Sequence, residues 1–145
     1  MHGFSRFSLL ILLLNALWGT PVSGQGDTLR RVKQDVFQAG EKLNYKIHYG
    51  LITAGRAQLK VQGPTTMAGR PVYHVIGTGR SVGMAEWFFK TRDRYESYID
   101  TSALIPWKFV RDVDEGGYTK YRKLIFDQYR GKVHNPIDTA KGVFA

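Results

Sequence analysis

The stretch that decides the fold is WKFVRDVDEGGYTKYRKLIF, residues 107–126. Two runs rich in branched and aromatic side chains flank Glu115, Gly116 and Gly117, and a Gly-Gly pair supplies the positive φ angles that a two-residue hairpin turn needs. With that pair as the turn, Glu115 faces Tyr118. Counting outward sets Arg111 opposite Arg122, Phe109 opposite Leu124 and Trp107 opposite Phe126. The aromatic residues then gather on one face.

The same register has a cost. It opposes Arg111 to Arg122 on the aromatic face, with Lys120 opposite Val113 one step nearer the turn. Like charges directly opposed destabilise a sheet unless water, a carboxylate or a bound anion separates them. Glu96, on a neighbouring strand, is the carboxylate this reading offers. Either both arginines are solvated at the sheet's end, their long side chains snorkelling outward, or they form an anion-binding rim above an aromatic hollow.

Upstream the same period of two recurs. Leu43, Tyr45, Ile47 and Tyr49 alternate with Asn44, Lys46 and His48, and after Gly55 the residues Ala57, Leu59 and Val61 alternate with polar ones, which predicts an antiparallel hairpin. Gly63, Pro64 and Gly69 mark the next turn. Val72 to Thr78 reads as a third strand, with a bend or bulge expected at Gly77 and Gly79. Residues 81–90 fit a short helix, Arg92 to Ile99 a fourth strand, and Val133 lies in a further strand-like stretch.

The N-terminus reads differently. Arg6 precedes an apolar run from Phe7 to Trp18, then Gly19, Thr20 and Pro21 break it, and small residues lead up to Gln25. This is the pattern of a secretory signal peptide over residues 1–24. As helix the run reaches about 18 Å, against a hydrocarbon core of about 30 Å, so no transmembrane span is expected in the mature chain. Residues 25–35 are polar and without period, predicting a flexible segment ahead of a β-rich domain over residues 36–145.

The chain of 145 residues holds no cysteine, which removes disulfides, cysteine zinc sites and thiol catalysis. It carries 21 Lys plus Arg against 12 Asp plus Glu, a formal +9, and loss of residues 1–24 would take only Arg6 from the basic side. In an exported protein this charge points away from nucleic acid and towards anionic lipid or acidic glycan.

Scattered positions carry a resemblance. Gly40-Glu41, Leu43, Tyr45, Tyr49-Gly50, Ala54-Gly55, Tyr73, Trp87-Phe88-Phe89, Arg92-Asp93, Tyr95-Glu96-Ser97 and Phe126-Asp127, with Phe37 ahead of them, resemble the exported bacterial family catalogued as domain of unknown function 3108. The resemblance spans roughly residues 35–130. It implies a β-rich exported domain with no agreed activity, and it implies a chain shortened at its C-terminus, since members usually continue with more strands.

No constellation in the sequence carries chemistry by itself. His48 and His74 lack the converging partners that a metal needs, so neither a metal nor a cofactor is expected. Asp93 and Glu96 differ by an odd number and point to opposite faces of a strand, which does not make a glycosidase pair. Gly77-x-Gly79 is too short for a dinucleotide loop, and Ser81 and Ser97 lack a nucleophile elbow. Trp87-Phe88-Phe89 cannot all face inward on either period.

The sequence therefore predicts an all-β chain with at most one short helix, folded as a curved antiparallel sheet or half-open barrel. The expected function is binding of an amphipathic acidic ligand, lipid or glycan, in the periplasm or cell envelope. Tyr45, Tyr49, Trp107, Phe109 and Phe126 would line a concave face around its apolar part, and Arg111, Arg122 and Lys120 would meet its anionic part. Two alternatives stay open: a polysaccharide lyase or hydrolase, with Tyr121 or His74 poised beside the basic pair, and a structural module that binds only protein.

Overall fold

The computed structural model describes residues 29–36 and 38–142. The expected signal peptide and Phe37 lie outside the described residues. Seven strands follow in order: β1 (Lys42–Tyr49), β2 (Ile52–Met67), β3 (Arg70–Ser81), β4 (Thr91–Asp100), β5 (Pro106–Glu115), β6 (Tyr118–Asp127) and β7 (Lys132–Lys141). A single short helix among the described residues, α1 (Met84–Phe88), joins β3 to β4. Each strand pairs antiparallel with its sequence neighbours, and the sheet runs β1 to β7 without closing into a barrel. The expected all-β chain, one open antiparallel sheet with a single short helix, is what the described residues form.

Turn chemistry sets these pairings. Gly116 and Gly117 have φ of 58° and 93°, and β5 meets β6 in the register that the glycine pair predicts, from Glu115 opposite Tyr118 to Lys108 opposite Ile125. The β2–β3 turn is Ala68-Gly69, with φ of 47° and 73°, a mirror-image turn that carries a side chain where glycine or asparagine is the ordinary choice.

Two local expectations fail. Gly63 and Pro64 do not make a turn: β2 runs on through them, and its pairing with β3 shifts between Gln62 and Thr65. A proline has no N–H for the ladder, so an irregular step is where a strand can hold one. The bulge expected at Gly77 and Gly79 is also absent, since both pair in regular register on either side. A Cβ on Gly77 would lie 3.9 Å from both Leu59 and Tyr95, so this glycine leaves room between two larger neighbours on the same face.

Successive pairings sort the side chains into two faces. One carries Leu43, Leu59, Gly77, Tyr95, Arg111, Arg122 and Asp138 in a single row across the seven strands. The other carries Lys46, Arg56, Arg80, Arg92, Asp114, Thr119 and Lys141 in a row of its own. Val61 and Val113 are buried on the first face, each contributing about 1.5–3 kcal/mol by its removal from water.

The lower end of the sheet is locked by Asp100, which has no exposed surface. Its carboxylate accepts from Arg70 Nε and Nη2, from the backbone N–H of Ser102 and Ala103 at 2.9 and 2.7 Å, and from Trp107 Nε1 at 3.1 Å. The Arg70 guanidinium above all, helped by those N–H donors, holds the Asp100 carboxyl far below the ordinary range. The segment before β1 lies against this end: Arg30 Nε donates to Ala103 O at 2.9 Å and Val32 N to Ser102 O at 2.8 Å.

Candidate functional site

The eight residues singled out from the sequence do not meet in one hollow. Tyr45 and Tyr49 stand on β1, the outer strand, whereas Lys120, Arg122 and Phe126 stand on β6, five strand spacings or about 24 Å away along the sheet. Trp107 is buried: its indole N–H goes to Asp100 and its ring lies 5.7 Å from Tyr129. The pairing of β5 and β6 ends at Lys108 opposite Ile125, one step before Trp107 and Phe126, and Phe126 stands opposite Val133. Phe109 packs instead beside Tyr95, ring centroids 6.4 Å apart.

Arg111 does face Arg122. The carboxylate that meets Arg122 comes from β7, not from Glu96, and lies on the side away from Arg111: Asp138 accepts from Arg122 Nε and Nη2 at 3.0 and 2.8 Å and from Lys120. Lys120 first, then Arg122, hold its carboxyl below the usual range. Glu96 lies on the opposite face, 2.6 Å from His74 Nε2 and 2.7 Å from Arg94 Nε. His74 and Tyr121 share that opposite face, so neither stands beside Arg111 and Arg122 as the lyase reading requires.

Asp93 of β4 and Glu115 of β5 form a carboxyl pair on the same face as Arg111. Burial, and then the neighbouring Glu115, push the Asp93 carboxyl up to about 6, against a smaller opposing pull from Arg111. Asp93 Oδ1 and Arg111 Nε are both buried without a hydrogen-bond partner among the described residues.

The cationic concentration lies on the other face. Lys46 stands opposite Arg56, Arg56 opposite Arg80, and Arg80 opposite Arg92, four basic residues abreast on β1 to β4. Arg92 is engaged: it pairs with Glu86 of α1 and donates to Thr91 O at 2.7 Å. No ion pair is recorded for Lys46, Arg56 or Arg80 among the described residues. In the next row Gln58 Nε2 donates to Asn44 Oδ1 at 2.8 Å, and Arg94 is held by Glu96.

These two rows line a groove of about 770 Å³, with Asp112 and Asp114 on its far wall. The hollow is therefore mainly polar and cationic along β1 to β3, and of the five aromatic residues expected to line it only Tyr45 does so. A smaller apolar hollow of about 260 Å³ lies on the reverse face between Val36, Leu43, Leu59, Val61, Val75 and Ile99. Sequence reasoning passed over the cationic row because its members sit at ordinary polar positions of three different hairpins. Their alternation with apolar residues was visible, but their mutual alignment depends on register.

Among the described residues no cluster of His, Cys, Asp and Glu could hold a metal ion, and no helix is long and apolar enough to cross a membrane. An open antiparallel meander with one cationic groove defines the class of protein. The chain belongs to the family described as protein of unknown function DUF3108, whose model matches residues 44–142. Comparisons with curated proteins and with solved structures give no significant match.

Proposed function

We propose that this protein is an exported envelope protein that binds the anionic part of an acidic amphipathic molecule, lipid or glycan, in the groove of Lys46, Arg56, Arg80 and Arg92. The observation that carries this reading is the like-charge row itself. Directly opposed cations in neighbouring strands are destabilising, and among the described residues three of these four have no carboxylate partner, so an anion laid across them relieves repulsion and gains charge-assisted hydrogen bonds. By contrast Arg122 and Lys120 already share Asp138. The anion site is thus assigned to the groove and not to the pair on the aromatic face. Asp112 and Asp114 on the far wall confine the anionic group to the β1–β3 side.

The test is calorimetric titration with two soluble probes, oligogalacturonate for the glycan and a short-chain phosphatidic acid for the lipid. Arg56→Glu with Arg80→Glu removes binding of the probe that fits, whereas Arg111→Glu leaves it within about twofold. Equal loss in both variants, or no binding of either probe, would overturn the assignment.

A further inference from the structure

A cluster of exposed apolar side chains stands at the upper end of the sheet. Leu51 in the β1–β2 turn is fully exposed, Tyr49 beside it is 83% exposed, and Trp87 and Phe88 of α1 are each 87% exposed. Ile52 and Met84 add to the same surface. The turn and the helix are neighbours: Gly55 of β2 pairs with Ser81 of β3, Val82 N donates to Ala54 O at 2.9 Å, and α1 packs beside β2. Phe89 shows the contrast, because its ring lies on Gly116, where a Cβ would come within 2.5 Å of it. The chain thus lays one of three consecutive aromatic residues against the β5–β6 turn, Phe89 at 41% exposed, and turns the other two out more fully.

We infer that this end is a membrane-docking tip that seats on an anionic lipid surface. The choice of a lipid surface over a protein partner rests on the charges behind the apolar cap. Lys46 lies three residues below Tyr49 and Arg56 four below Ile52, about 10–13 Å along the strands, with Arg80 beside Arg56. An interfacial apolar element sinks about 5–10 Å into the boundary of headgroups and acyl chains. At that depth Tyr49, Leu51, Trp87 and Phe88 lie among the upper acyl carbons, and Lys46, Arg56 and Arg80 come level with the phosphates. Trp and Tyr favour this level because one end of each ring system is apolar and the other wet. The tip shares its cations with the groove proposed above, but it adds contacts that a soluble ligand does not use.

The experiment takes the protein purified from its own envelope and sediments it with vesicles of phosphatidylcholine alone or of phosphatidylcholine and phosphatidylglycerol in equal parts. The wild type pellets with the mixed vesicles and not with the neutral ones, and Trp87 fluorescence shifts to the blue and is quenched by lipids brominated near the headgroup. Trp87→Ser with Phe88→Ser lowers the vesicle affinity by at least about tenfold, as expected for two aromatic side chains kept out of the interface. The variant melts as the wild type does, since neither side chain is buried. Oligogalacturonate or short-chain phosphatidic acid binds the variant unchanged, which distinguishes a failure of the tip from a failure of the groove. Vesicle binding unaffected by the double variant overturns the proposal. So does a wild-type dimer in analytical ultracentrifugation that the variant abolishes, because the cap then belongs to a second copy.

Discussion

Arg56 stands directly opposite Arg80 across β2 and β3, with Lys46 and Arg92 completing the row on either side. The arrangement is locally unfavourable, and that penalty can be measured without knowing the ligand. Arg80→Gln is expected to raise the stability in low salt by about 0.5 kcal/mol, the scale of a cross-strand charge pair. The gain shrinks in high salt as screening removes the repulsion. Urea unfolding at two ionic strengths checks it, and a variant less stable than wild type at low salt contradicts it.

Asp100 fastens the opposite end. Asp100→Ala leaves the guanidinium of Arg70, two backbone N–H groups and the Trp107 indole without their acceptor. The expected loss is about 3–5 kcal/mol, the usual result of breaking a buried pair from one side. Equilibrium unfolding followed by Trp107 fluorescence reads it. A loss below about 1 kcal/mol would show that the cluster is solvated.

Ala68, with φ of 47°, occupies a left-handed turn position beside Gly69. A side chain there costs about 1–2 kcal/mol unless it is asparagine or aspartate, which bond locally. Ala68→Asn is expected to stabilise the hairpin by about 0.5–1 kcal/mol and to raise the melting temperature by a few degrees. An unchanged or lower melting temperature counts against the assigned turn.

Asp93 gives the stability a pH dependence of defined sign. Burial and Glu115 lift its carboxyl from the ordinary 3.8 to about 6 in the folded protein. Between those values the folded state holds a proton that the unfolded chain has released, so acidification through this window stabilises the fold. Glu96 and Asp100 act in the other direction. Burial pulls Glu96 upward, but Arg94 and His74 outweigh it and hold it low, and Arg70 holds Asp100 low, so their contribution disappears below the ordinary carboxylate range. The melting temperature is therefore expected to rise from pH 7.5 to pH 5 and to fall steeply at lower pH. Asp93→Asn flattens the first limb and spares the second. A curve of wild-type shape in that variant would assign the rise to another group.

What the sequence made legible follows from where its turns are written plainly. Gly116-Gly117 between two alternating runs sets the β5–β6 register residue by residue, and Arg111 opposite Arg122 comes with it. The alternation from Leu43 to Val61 likewise separates an apolar face from a basic one. The cationic groove needs three registers at once, and two of them pass through irregular steps, between Ile47 and His48 and between Gln62 and Thr65. The third spans a connection that contains α1, whose length says nothing about how Arg80 meets Arg92. Asp138 escaped for a related reason: its place beside Arg122 depends on a β6–β7 pairing that shifts between Lys123 and Ile125. Trp107 turned towards Asp100 because the pairing of β4 with β5 shifts at Tyr98 and Ile99, near the end of the strand.

The succession of strands also bears on how the protein forms. Every strand finds its partner in the segment just before or after it, so no distant ends have to meet and growth can proceed hairpin by hairpin at low contact order. Lys46, Arg56, Arg80 and Arg92 come from the first four strands. An insertion or deletion in the β6–β7 loop would leave those four abreast, and evolutionary variation in the C-terminal half can accumulate without disturbing them.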